Sequence, residues 1–178
     1  MKLLKWLLGI AAVAWAGQYV LALLLPNLAM ETLYFLGNKR QGYNQLVVAP
    51  VPDEHSRQVV RPSPDLLYAS CIYNLKEGAL TIEAPVPERY WSMQFYQMNT
   101  DNYAGITNQR AERDRVGSIA RVTLISADQS PEDYEGEVVQ SPTSRGVVLL
   151  RASAMGDRSQ QQAALDASSC RPANTQQN

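Results

Sequence analysis

An antiparallel β-sandwich behind a single N-terminal membrane helix is the fold class this sequence predicts. Three observations lead there: an uncharged, largely apolar run once Lys5 is passed, a succession of short β-prone segments divided by Gly, Pro, Asp and Ser, and a single helix-like segment in the last third of the chain. Many short strands without alternating helices favour an antiparallel sandwich over a parallel α/β sheet.

The elements follow in order. As a helix, residues 3–25 reach about 34 Å, enough to cross a bilayer core with some tilt. Lys2 and Lys5 precede the span and no comparable basic cluster follows closely, so the positive-inside bias keeps the N-terminus in the cytoplasm. Ala14-Trp15-Ala16 before Gly17 has the small-x-small form of a signal-peptidase site. The apolar residues continue from Tyr19 to Leu25, however, which is long for a signal peptide. An uncleaved anchor over residues 1–26, closed by Pro26, is therefore expected in the cytoplasmic (inner) membrane, single-pass, with the rest in the periplasm or outside the cell. Residues 27–43 should hold a short surface helix carrying Leu28, Leu33 and Leu36, with Asn27 as N-cap and Gly37 as stop. A connector with Pro50 and Pro52 follows, interrupted by a strand at Leu46-Val47-Val48.

Residues 44–168 are expected to form one sandwich domain, with strands over 66–75, 79–84, 90–98, 119–126, 136–140 and 146–151. Lys76 to Gly78 reads as the turn of a hairpin. Residues 157–167 read as a helix, and residues 169–178 as a flexible tail. Cys71 and Cys170 are the two cysteines. An exported domain permits a disulfide between them. Otherwise Cys71 is a small buried hydrophobe and Cys170 a tail thiol.

Composition and motifs exclude several functions. The formal net charge is −1, with both signs interspersed, which leaves no electrostatic footprint for nucleic acid. The one histidine, His55, lacks neighbouring metal ligands, and no metal or cofactor is expected. No Gly-x-Ser-x-Gly elbow, phosphate loop or dinucleotide fingerprint occurs, so no catalytic residue is assigned. Glu132, Asp133, Glu135 and Glu137 flank Pro131 and Gly136 as a solvated turn without EF-hand spacing.

The most informative segment begins at Glu88. As a strand, it directs Trp91, Met93 and Phe95 to one face and Tyr90, Ser92, Gln94 and Tyr96 to the other. The first face is a sandwich core. The second interleaves phenol rings with Ser and Gln, a composition suited to a partner interface or a ligand site as well as to plain solvent. Asp65, Tyr68, Arg89, Asn102 and Arg110 are polar groups next to these strands, and Asp65 with Arg61 or Arg89 makes an ion pair conceivable.

These segments carry a resemblance. Arg61-Pro62-Ser63-Pro64-Asp65-Leu66-Leu67-Tyr68-Ala69-Ser70, Asn74-Leu75, Pro87-Glu88-Arg89-Tyr90-Trp91-Ser92-Met93-Gln94-Phe95-Tyr96, Asn102-Tyr103-Ala104 and Arg110 resemble the family catalogued as domain of unknown function 1254. Leu66 stands where that family usually has Thr, and Thr107-Asn108-Gln109-Arg110 replaces its Gly-x-Arg. The resemblance implies an immunoglobulin-like sandwich, often joined to a jelly-roll companion, the domain of unknown function 1214, and no settled reaction. The companion is expected from a separate polypeptide. Two functions are expected from this reading: a membrane-anchored module that docks the companion, or a cell-envelope enzyme or small-ligand binder with a pocket near Asp65, Tyr68 and Arg89.

Overall fold

The computed structural model describes residues 2–56, 62–108 and 119–173. Among them are two α-helices and nine strands: α1 (Lys2–Gln41), β1 (Leu46–Val48), β2 (Leu66–Asn74), β3 (Leu80–Pro85), β4 (Trp91–Gln97), β5 (Asn102–Thr107), β6 (Ile119–Ile125), β7 (Glu137–Gln140), β8 (Arg145–Ser153), α2 (Arg158–Asp166) and β9 (Ser169–Pro172). They form a five-stranded sheet, β1-β2-β8-β4-β5, and a four-stranded sheet, β7-β6-β3-β9. The protein is a mainly β, sandwich-like fold carrying one long N-terminal helix.

Alternation builds the core. Cys71 and Tyr73 of β2, Ile82 of β3, Trp91, Met93 and Phe95 of β4, and Val148 and Leu150 of β8 are all buried in one cluster. The expected core face of the aromatic strand is therefore the observed one. Burying a side chain as large as Trp91 removes enough apolar area to stabilise the fold by about 3 kcal/mol.

Not all pairing is antiparallel. β7 runs parallel to β6, with Val122 opposite Glu137 and Ile125 opposite Gln140. The link over residues 126–136, with a 3-10 turn at Pro131–Asp133, is long enough to return the chain to the same end of the sheet, as parallel neighbours require.

The expected hairpin at Lys76 to Gly78 is instead a corner between the sheets, since β2 and β3 belong to different ones. Asn74 Oδ1 accepts from Lys76 N at 3.2 Å and opens a 3-10 turn at Leu75–Glu77, with Leu75 buried. Gly78 follows at φ +130°, a conformation that favours glycine. Both strands bury one face in the same core, so their alternation looks alike whether they pair or face each other.

The C-terminal segment departs from the expected tail. Ser169–Pro172 pairs with β3, placing Cys170 opposite Ile82. Cys170 is bonded to Cys71, with Cα atoms 6.4 Å apart and a separation of 99 positions in sequence. The reading of Cys71 and Cys170 as separate thiols is thereby replaced: the bridge ties the two sheets through the core. Sequence distance hid it because β9 reaches Cys71 only by way of the fold.

The segments expected as anchor and juxtamembrane helix are one element. α1 continues through Pro26, and at 1.5 Å per residue its 40 residues extend about 60 Å. Proline removes one helical donor, and Asn27, expected as a cap, instead donates through Nδ2 to the Leu23 carbonyl at 3.3 Å. Gly37 is no stop. It lies where a Cβ would collide with Ile72, so its missing side chain lets the helix approach β2. The helix ends at Gly42, whose φ is +77° and whose N–H donates to Asn38 O at 3.0 Å.

Candidate functional site

The outer face of the five-stranded sheet is the surface to which most of the candidate residues belong, and its layout follows from register. In β2, β8 and β4 the residues between the core positions align in rows. Ile72, Val147 and Tyr96 form one row, Ser70, Leu149 and Gln94 the next, and Tyr68, Arg151 and Ser92 the third. An apolar end thus grades into a polar, aromatic end.

Helix α1 covers the apolar end. Met30 and Tyr34 are buried in a cluster with Ile72, Met98 and Val147, and Leu33 and Tyr96 pack against it. Arg145 clamps the helix from the side: its Nη2 donates to Glu31 Oε1 at 2.6 Å and its Nη1 to Glu31 Oε2 at 3.2 Å. The guanidinium also lies 5.1 Å from the Tyr34 ring centre. This two-point pair with Glu31 holds the Arg145 cation above its usual range. Tyr34 OH donates to Tyr73 O at 3.4 Å.

Behind this end lies a buried hydroxyl cluster. Tyr73 OH donates to the Tyr96 carbonyl at 3.3 Å and lies 2.8 Å from Ser141 Oγ and 3.1 Å from Tyr103 OH, while Ser141 Oγ donates to Thr143 O at 2.7 Å. Burial raises both phenols above their ordinary range, keeping them neutral donors. Gly146 fits against Tyr73 and the Tyr96 carbonyl, where any Cβ would collide with both.

The predicted site residues divide between these environments. Tyr96 belongs to the helix-covered end. Ser92 is fully buried, its Oγ 3.1 Å from Tyr90 OH and accepting from Arg151 Nε at 3.3 Å. Gln94 Oε1 accepts from Asn102 Nδ2 at 2.7 Å, so both amides serve to pin β5 to β4. Tyr90 is 38% exposed. Arg89 is exposed and rests on Gly156, where a Cβ would meet its Nε at 2.5 Å. Tyr68 OH accepts from Ser63 N at 3.0 Å, and the exposed Asp65 offers its carbonyl to Ala154 N at 2.7 Å. No hydrogen bond or ion pair joins Asp65, Tyr68 and Arg89 to one another among the described residues. The conceivable Asp65–Arg89 pair is not formed, and Arg61 and Arg110 lie outside the described residues. His55 is exposed beside Glu54, and no group of three or more potential metal ligands gathers among the described residues.

Sequence reasoning missed Arg151, Leu149 and the helix residues that complete this face. A signal for the last exists: Met30, Leu33, Tyr34 and Gly37 recur at i, i+3, i+4 and i+7, a helical stripe.

The sheet order and the helix-covered face can be set beside known proteins. The family model described as "Protein of unknown function (DUF1254)" matches residues 43–172. The chain belongs to this family. Among solved structures, this DUF1254 member is similar to the VPA0106 protein from Vibrio parahaemolyticus, at 15% identity and TM-score 0.61, over 83% of this chain and 35% of that one. An uncharacterised protein from Burkholderia cenocepacia matches at 20% identity and TM-score 0.45, over 62% of this chain and 31% of that one. The DUF1254 chain therefore spans about a third of the length of these proteins. No curated protein matches it.

Proposed function

We propose that this DUF1254 chain is a single-pass module anchored in the cytoplasmic membrane, with its sandwich on the outer side, and that it docks a companion domain on the polar end of the outer sheet face. The observation that carries the reading is the exposed corner formed by Arg89 and Tyr90, beside the row of Tyr68, Arg151 and Ser92, next to the end that α1 covers. Tyr and Arg are the residues most often found at the energetic centres of interfaces. A companion of the domain of unknown function 1214 type is the occupant. The greater length of the VPA0106 protein relative to the part matched here supports the expectation of a further unit.

Two features support the location. α1 is long and apolar enough to cross a membrane, and Lys2 and Lys5 stand at its start. A disulfide within the core suits an oxidising compartment. Immunoglobulin-like strand topology is the finer form of the sandwich that this reading adopts.

The test is a pull-down from detergent-solubilised native membranes with the full chain and its Arg89→Glu/Tyr90→Ala variant. The wild type should recover a jelly-roll protein of the companion type and the variant should not, while circular dichroism of the two is the same. Equal recovery by both would sink the docking corner. Tyr96 is unsuited to this test because it packs under α1.

A further inference from the structure

A groove of about 440 Å³ runs between the flank of α1 and the outer sheet face, walled by Leu33, Leu36, Arg40 and Gln41 of the helix and floored by Ser70, Ile72, Val147 and Leu149. That volume falls within the usual range of small-molecule sites, about 300–1,000 Å³. We infer that the groove holds the hydrocarbon chain of a single-chain anionic amphiphile, a fatty acid or lysophospholipid, with its charged head at Arg151. The inference rests on the membrane-anchor part of the proposed function, and its head-group end adjoins the docking corner at Arg89 and Tyr90.

Three observations converge on this ligand chemistry. First, the helix that walls the groove is the unbroken α1, which also carries the membrane segment. Its N-terminal part exposes large apolar side chains such as Leu21, Leu24 and Leu25. An acyl chain leaving the bilayer along that helix stays against apolar side chains through Leu28, itself exposed. Second, Gly37 lets the helix touch the sheet at Ile72, while Leu33 and Leu36 border open space beside that contact. The helix thus meets the sheet at Ile72 and Leu33, and the groove opens beside that contact toward Leu149.

Third, the floor changes character in one step. Arg151 is two residues beyond Leu149 on β8, on the same face, and strand geometry separates them by about 6.6 Å. Ser92 Oγ accepts from Arg151 Nε at 3.3 Å, which orients the guanidinium on that row, and Tyr68 is its neighbour on β2. A largely apolar slot with an oriented guanidinium one row beyond its floor matches a carboxylate or phosphate on a hydrocarbon tail.

The experiment places the full chain in phosphatidylcholine nanodiscs with a photoactivatable palmitate, and in parallel with a photoactivatable lysophosphatidylglycerol. Crosslinked positions are mapped by mass spectrometry. Labelling is expected in two sets, one over residues 3–25 and one at Leu33, Val147 and Leu149, for at least one of the two probes. The probe that labels the second set identifies the source of the chain. Excess unlabelled palmitate or lysolipid should suppress the groove set and leave the span set unchanged.

Leu149→Trp, and independently Ser70→Trp from β2, should lower groove labelling about tenfold with the span set as internal control. Arg151→Gln should lower labelling by the anionic probe about tenfold, but not labelling by a photoactivatable hexadecanol. Labelling confined to residues 3–25, or groove labelling that no competitor suppresses, overturns the inference. Absence of labelling over residues 3–25 overturns the anchor instead, whatever the groove does.

Discussion

The two faces of the five-stranded sheet are made by alternate residues of the same strands, yet they do different work. On the inner face, Trp91, Met93, Phe95, Cys71 and Tyr73 are sealed against the second sheet. On the outer face, Ile72, Val147 and Tyr96 meet a helix, while Tyr68, Arg151 and Tyr90 stay partly open. The comparison separates what specifies the fold from what the fold presents. Inner residues are held from every side, so any change there is felt by the whole domain. Outer residues are held by one helix and a few polar bonds, and changes there should be local.

The comparison can be broken most forcefully from inside. Trp91→Ala should lower stability by about 3–5 kcal/mol, read as a large fall in melting temperature, because the cavity it leaves cannot collapse between two sheets. An unchanged transition would mean that the faces are inverted. Replacing both cysteines, Cys71→Ala with Cys170→Ala, should cost about 2–5 kcal/mol in a chemical denaturation series, since the bridge closes a loop of 99 residues across the same core.

From outside, the expected effects are smaller. Glu31→Gln removes one charge of the clamp on Arg145, both side chains being part-exposed at 51% and 37%, and should cost less than about 1 kcal/mol. Its signature is local: faster amide exchange in α1 around Met30 and Tyr34, with the sandwich unaffected. A global loss of stability would erase the distinction between the faces.

The smallest effect concerns the cap of α2, away from both faces. The Ser159 hydroxyl, with the Gln160 and Ser159 amides, holds the Asp157 carboxyl below the usual carboxylate range. A depressed folded value means that the contribution is full above the unfolded carboxylate's pKa and is lost as pH falls through the folded one. The melting temperatures of wild type and Asp157→Ala should therefore differ slightly at neutral pH and converge in acid.

Much of this arrangement was legible in the sequence, and the exceptions share a cause. Strand positions and the inner face of β4 could be read because alternation is a local signal. β5 was not anticipated as a strand, since Asn102-Tyr103-Ala104-Gly105 lacks the β-branched density of its neighbours. Pairing partners were not readable: the corner at Leu75, the parallel β7 and the place of β9 all depend on which strands meet across the core. The rows of the outer face could not be drawn either, because Arg151 reaches Ser92 only through the β8–β4 register. Pro26 and Gly37 misled for a different reason. Both residues commonly end helices, and here tertiary packing and the Asn27 side chain carry α1 past one and through the other.

The position of β9 has a consequence in time. A chain delivered N-terminus first completes β2 and β3 long before Ser169–Pro172 emerges, so one edge of β3 and the Cys71 thiol stay open through most of delivery. Contacts this distant in sequence form slowly, on a scale of roughly milliseconds to seconds for two-state β domains. During that interval the unpaired β3 edge is a template for wrong strands, and Cys71 is available to any oxidant. Completion of the domain is thus an event at its last strand, and a chain interrupted before Cys170 would keep both hazards permanently.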